Sequence, residues 1–244
     1  MSLLVLDEVS KRYSRGRRDA RERVALRSVS LELAEGEFVA VWGEPRSGRT
    51  TLLQVAAGVM PPSEGVVQFT GKDLAHRSAL GEPGGIAFTS IRFQRVIGDS
   101  ALEHVAAPLM GRGLSVLRAQ SRAFQALKRV DAVACAELDA DELNHTEAIR
   151  VALARALITG PRLLLVDEPM LGVPPARGRD ATLALLRSIA HRDRVTVLMT
   201  VGDATELAGV DRALSIDNGE LRGARRPEPG RVIELRPDRT ESSA

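Results

Sequence analysis

Leu163-Leu-Leu-Val-Asp-Glu-Pro169 sets four apolar residues directly before two carboxylates and a proline. Four apolar residues in a row read as a strand buried on both faces, as in a parallel sheet. Asp167 and Glu168 then fall at its C-terminal end, where open α/β sheets bind their ligands. Charge placed beside a buried strand is costly unless it has a task. An Asp that holds Mg²⁺, next to a Glu turned towards a water, is the pattern of a nucleotide-hydrolysing site.

The remaining chain fits such a core. Its 244 residues are 44% hydrophobic and 27% charged, enough for one large core with a subdomain. The cations number 34 and the acids 32, a net charge of +2, which argues against nucleic-acid binding although the pI is about 9.1. Nearly all the cations are Arg, with Lys only at 11, 72 and 128. A single cysteine, Cys135, excludes an internal disulfide and suits a reducing cytoplasm. His76, His104, His145 and His191 lack metal-ligand spacing. No apolar run reaches the ~18 residues of a membrane span and no secretory signal opens the chain, so a membrane role is expected to be peripheral.

Periodicity places the other elements. Leu3 to Leu6 predicts a first strand, and Val29, Leu31 and Leu33 alternate as a second. The Arg-rich stretch between them, 15–23, reads as a solvated hairpin tip. Phe38 to Trp42 predicts a strand, Thr50 to Ala57 a helix closed by Gly58, and 65–69 and 85–89 further strands. The section from about 99 to 158 changes to helical spacing at Ala101–Met110, Ser115–Val130 and Glu147–Ile158. The α/β alternation then returns with strand 162–166, helix 179–190, strand 195–200, a short helix 203–209 and strand 212–216. Asp217-Asn218-Gly219 is a turn signal.

Gly43-Glu-Pro-Arg-Ser-Gly-Arg-Thr-Thr51 follows a strand and opens a helix, the context of a phosphate-binding P-loop. Gly43, Gly48 and Thr50 fit the spacing G-x-x-x-x-G-K-[ST]. Arg49 stands at the lysine and replaces a compact ammonium by a longer, planar cation. Arg46 occupies a place where a small residue would ease the turn. Alone this stretch is also compatible with an ordinary strand–turn–helix; joined to Asp167-Glu168 it becomes specific.

With both motifs in order, the chain resembles an ATP-binding subunit of an ABC transporter, most similar to the lipoprotein-export and macrolide-efflux branch. The resemblance spans about residues 3–222. It includes the connecting stretches Leu31-Glu-Leu-Ala-Glu-Gly-Glu-Phe-Val39, Ala101-Leu-Glu-His-Val105 and Arg150-Val-Ala-Leu-Ala-Arg-Ala-Leu157. It implies a P-loop NTPase core of the α/β class, a mixed sheet with flanking helices, a helical subdomain at about 99–158 and an N-terminal antiparallel β region. Residues 1–222 then form a single ATP-binding domain, and 223–244 a flexible tail. It further implies that Tyr13, in Lys11-Arg-Tyr13, stacks on adenine; packing at the edge of the first strands is the alternative. Thr50 would ligand Mg²⁺, Thr51 lie by the α-phosphate, and Ser47 and Gly48 donate backbone N–H groups. Asp167 would hold Mg²⁺ through water, and Glu168 would orient or deprotonate the attacking water.

The departures bear on turnover. The glutamine that contacts Mg²⁺ falls on Ile91, with Gln94 as the alternative. The signature Leu-Ser-Gly-Gly-Gln is Leu143-Asn-His-Thr-Glu147, so His145 and Thr146 put side chains where backbone approaches the phosphate of the opposite subunit. Pro174 replaces an Asp at the dimer seam, and Gly202 stands at the switch histidine. The expected function is an ATP-binding subunit that takes up Mg-ATP and couples to an integral membrane permease, with hydrolysis weak or lost. The alternative is a non-hydrolytic accessory subunit paired with an intact ATPase or permease. Partners would be the permease and a homo- or heterodimeric second ATP-binding subunit, at the cytoplasmic face of the cell membrane. The apolar faces of the 101–150 helices serve either the core or the permease.

Overall fold

The computed structural model describes residues 2–13, 22–76, 78–90, 99–139, 141–173 and 177–223. Most of the Arg-rich stretch, Ile91, Gln94, Pro174 and the tail from 224 onward lie outside the described residues. In chain order the strands are β1 (Ser2–Tyr13), β2 (Arg23–Ala34), β3 (Phe38–Trp42), β4 (Glu64–Phe69), β5 (Lys72–Asp73), β6 (Ile86–Ser90), β7 (Leu163–Asp167), β8 (Thr196–Val201), β9 (Arg212–Asp217) and β10 (Glu220–Arg222). The helices are α1 (Arg49–Ala56), α2 (Ala101–Met110), α3 (Val116–Arg129), α4 (His145–Leu157) and α5 (Arg177–His191).

A six-stranded sheet runs in the order β10-β9-β3-β8-β7-β6, parallel except for the β9–β10 hairpin. A four-stranded antiparallel sheet runs β2-β1-β4-β5. This is the expected α/β class with a mixed sheet. All six residues of β8 are buried, as are the first four of β3 and of β7. Strands covered on both faces read as unbroken apolar runs because neither side meets water.

One face of the six-stranded sheet packs with α1 and the antiparallel sheet, where Leu4, Leu26, Leu52, Leu53, Leu165 and Leu198 share one cluster. The helices α2, α3 and α4 share the other cluster with Leu164, Val166, Val197 and Met199. Consecutive residues of β7 therefore point into different cores.

β1, β2 and the segment at 203–209 differ from the sequence expectation, β2 by starting at Arg23 rather than near Val29. β1 runs to Tyr13 rather than ending at Leu6. Glu8 has φ +46°, and the register with β2 shifts between Leu6 and Val9, so a bulge breaks the alternation while the strand continues. The segment expected as a helix at 203–209 is a single 3-10 turn, Ala204–Leu207, capped by Asp203 and followed by Gly209 at φ +81°. The turn at 217–219 has Asn218 at φ +47° and Gly219 at φ +82°, the paired left-handed residues that close a two-residue hairpin.

His104 of α2 is 2% exposed. Burial, and then the nearby Arg155 guanidinium, lower its pKa from 6.5 to about 4. The unfolded chain takes up this proton at higher pH than the folded one, so stability is full above about 6.5 and falls as the pH drops towards 4. This group contributes a loss of about 3 kcal/mol across that window. Urea unfolding of His104→Asn against the parent chain at pH 7 and pH 4.5 should show a flatter pH dependence in the variant; parallel curves contradict the assignment.

Candidate functional site

The parallel register brings the strand ends together. Asp167 pairs with Thr200, Val41 pairs with Thr200 on the other side, and Ser90 pairs with Asp167. The ends of β3, β8, β7 and β6 thus form one edge, and the loop 43–48 turns over it into α1.

That loop is built around close approaches. A Cβ on Gly43 would lie 2.3 Å from the Ile216 carbonyl oxygen, and one on Gly48 would lie 2.4 Å from that of Ala25. Gly48 has φ +115°, and Arg46 sits at φ +71°, so the expected strain at residue 46 is real. Ser47 donates its N–H to the Glu44 carbonyl at 3.1 Å and accepts from Gly219 N–H at 2.8 Å. Its amide takes part in a turn within the loop. The first turn of α1 has no side-chain cap and no acidic residue. Its leading N–H groups and positive dipole end suit an anion.

A cavity of about 890 Å³ lies over this edge, walled by Gly48, Arg49, Thr50, Thr51, Asp167 and Glu168. A space of this size is in the range of small-molecule and cofactor pockets. Arg23, Pro45, Arg46, Ser90 and Leu171 also line it, five residues that sequence reasoning did not assign to a site. Arg23 belongs to the stretch expected as a solvated tip; it pairs with Tyr13 across β1 and β2 and adds positive charge to the wall. Tyr13 itself sits against α1. Its hydroxyl shares a 3.3 Å hydrogen bond with Thr51 Oγ1 and donates to Met60 Sδ at 3.2 Å. It stands outside the residues that wall the cavity, beside one that does.

The two carboxylates are held differently. Thr200 Oγ1 donates to Asp167 Oδ1 at 2.6 Å and accepts the Glu168 N–H at 3.1 Å. One hydroxyl thereby fixes the Asp167 side chain and the Glu168 backbone, which lies at φ +49°. The Glu168 carboxylate meets Arg49, with Nη2 to Oε1 at 2.7 Å. Arg49 is 7% exposed, and its Nη1 is buried without a hydrogen-bond partner among the described residues. A Cβ built on Gly202 would lie 3.5 Å from that Nη1. The cation at the lysine position and the glycine at the histidine position are therefore neighbours in space.

The replaced signature also has a defined structure. Asn144 caps α4: its side-chain oxygen accepts from Thr146 N–H at 2.9 Å and Glu147 N–H at 3.0 Å. Glu147 accepts the Asn144 N–H at 2.9 Å, completing a capping box. The amides of Asn144, Thr146 and Glu147 are thus satisfied within the chain. The His145 ring lies against Gly172, where an added Cβ would come within 2.4 Å of it, so the signature turn touches the loop after Glu168. Beyond Gly202, Glu206 is 8% exposed and pairs with Arg179 at 3.0 Å. Burial raises the pKa of Glu206, opposed in part by Arg179.

A turn rich in amide donors, threonine hydroxyls and a paired Asp-Glu under one cavity define a P-loop nucleotide-binding protein. Residues 26–171 match the family described as ABC transporter, and the chain belongs to that family as an ATP-binding subunit. It is 35% identical over 224 residues to the lipoprotein-releasing system ATP-binding protein LolD of Chromohalobacter salexigens, covering 90% of this chain and 92% of that one. It is 36% identical over 229 residues to the phosphonates import ATP-binding protein PhnC of a Polaromonas species, covering 88% and 81%. Among solved structures, the ATP-binding cassette MJ0796, a dimer in a post-hydrolysis state with ADP and Pi, matches with a TM-score of 0.78 and 26% identity over 91% of this chain and 99% of that one.

The strand-end geometry makes Thr200 a positioning residue. Thr200→Val keeps the shape but leaves the Glu168 N–H without its acceptor and Asp167 without its donor. Chemical denaturation should show a loss of about 1–2 kcal/mol; an unchanged midpoint contradicts the role.

Proposed function

We propose that this chain binds Mg-ATP in the cavity over α1 and docks, as one of two ATP-binding subunits, on the cytoplasmic side of an integral membrane permease, with hydrolysis weak or lost. The cassette in this reading is residues 1–222, with the helical subdomain at about 99–158. The observation that supports slow turnover is Gly202 at the switch position, where even a Cβ would stand 3.5 Å from Arg49 Nη1 and no side chain reaches the phosphate side. A lost transition-state donor of this kind costs on the order of 10²–10³ in rate.

Magnesium fits the donor set. Thr50 and Asp167 both wall the cavity. Among the described residues no cluster of three or more His, Cys, Asp or Glu stands ready for a metal. Mg²⁺ keeps most of its waters and binds through one or two protein oxygens plus substrate phosphates, so it needs no such cluster. Bound there, the ion would neutralise phosphate charge, with Asp167 oriented for it by Thr200.

LolD and PhnC are named for lipoprotein release and phosphonate import, and on that likeness the chain serves a transport system whose cargo the permease selects. No described helix is long and apolar enough to cross a membrane. The capping box at Asn144 favours a second reading, an accessory subunit that senses nucleotide without turnover.

Titration calorimetry of ATP into the purified chain should give micromolar binding that requires Mg²⁺, lost in Asp167→Asn; no binding at millimolar ATP sinks the proposal. Arg49→Lys combined with Gly202→His should raise hydrolysis about tenfold or more. An unchanged rate in a phosphate-release assay would assign the deficit to the Asn144–Glu147 turn instead.

A further inference from the structure

We propose, building on the nucleotide-binding reading, that Arg49 is a clasp that exchanges partners: it holds Glu168 while the phosphate site is empty and releases it to take the terminal phosphate of a nucleoside triphosphate.

The guanidinium has two ends with different fates. Nη2 is satisfied by Glu168 at 2.7 Å. Nη1 is buried, has no hydrogen-bond partner among the described residues and belongs to a residue that walls the cavity. A buried donor left unmade is costly, and a forked cation suits a tetrahedral oxyanion. Nη1 packs towards Gly202, where a Cβ would stand in ordinary contact at 3.5 Å, so the guanidinium fills the space that a larger side chain at 202 would need. An imidazole at 202 would contest that space, which gives Arg49 and Gly202 a joint rationale.

The two partners are unequally free to move. The Arg49 side chain is 7% exposed and Glu168 is 32% exposed. Thr200 pins the Glu168 backbone N–H, so release of this residue requires only that its side chain turn towards solvent. A carboxylate that exits into water regains hydration, whereas a buried guanidinium that loses its anion does not. Exchange of one anion for another on Arg49 is therefore the low-cost route. Glu168 then becomes available only with triphosphate in place, and a diphosphate leaves the clasp closed.

The test is a double-mutant cycle read by equilibrium binding of ATP and of ADP with Mg²⁺, using the full chain, Glu168→Gln, Arg49→Gln and the double variant. Removal of the competing carboxylate should tighten ATP binding about tenfold. In the Arg49→Gln background the same change should leave ATP affinity unaltered, and ADP affinity should move by less than about twofold in every case. Plain repulsion between Glu168 and phosphate makes the opposite forecast, a gain kept or enlarged without Arg49, and that result overturns the clasp while leaving nucleotide binding intact. No ATP binding by any of the four removes the clasp and the nucleotide reading together. Circular dichroism checks folding; where Arg49→Gln does not fold, Arg49→Lys replaces it, with the expected gain cut to below about threefold because a point charge bridges two anions less well than a fork.

Discussion

The Glu168 carboxylate lies beside one of the least exposed cations of the structure, and much of the site follows from that contact. β7 is buried along its first four residues, so the charge that follows it must be paired at the sheet edge or turned into solvent. Asp167 is fixed by a neutral hydroxyl and Glu168 by a guanidinium. The two adjacent carboxylates therefore have different freedom: one is oriented and open to a cation, the other is neutralised in place. A pair of this kind is not a strong source of stability, since desolvation offsets much of the attraction. Its consequence is functional, because it decides which anion Arg49 serves.

The scaffold sets this geometry through register. Thr200 lies level with Asp167 on one side and Val41 on the other, which places its hydroxyl between the phosphate loop and the acidic pair. Gly43 and Gly48 let the loop pass over β9 and β2 at distances that exclude a Cβ. With the loop so confined, the first residue of α1 must direct its side chain across the ends of β7 and β8. Within the family a lysine there is expected; the longer arginine reaches the carboxylate and covers the space next to Gly202.

Much of this was legible in the sequence, for physical reasons. The buried strands β3, β7 and β8 are apolar runs bounded by turn residues. The helix before Gly58 and the hairpin at Asn218-Gly219 carry their own stop signals. The P-loop and the Asp-Glu pair were found by spacing, and the cavity does gather Gly48, Arg49, Thr50, Thr51, Asp167 and Glu168. Local patterns are silent on contacts between distant segments. The Arg49–Glu168 pair, the service of Thr200 to both carboxylates and the Arg179–Glu206 pair join residues far apart in the chain. β1 was underestimated because a bulge at Glu8 interrupts its alternation without ending it. Arg23 looked like part of a solvated tip because composition does not tell where a hairpin leans. Asn144 was readable as a cap, but the reciprocal bond from Glu147 turned an altered signature into a closed, self-satisfied helix end.

The most direct measurement of the account is a crystal structure of the chain with Mg²⁺ and a non-hydrolysable ATP analogue. The account predicts the terminal phosphate on Arg49 Nη1, Mg²⁺ between Thr50 and Asp167, and the Glu168 side chain turned away from the guanidinium. An analogue bound in the loop with the Arg49–Glu168 pair still closed, or bound away from the loop altogether, would contradict it.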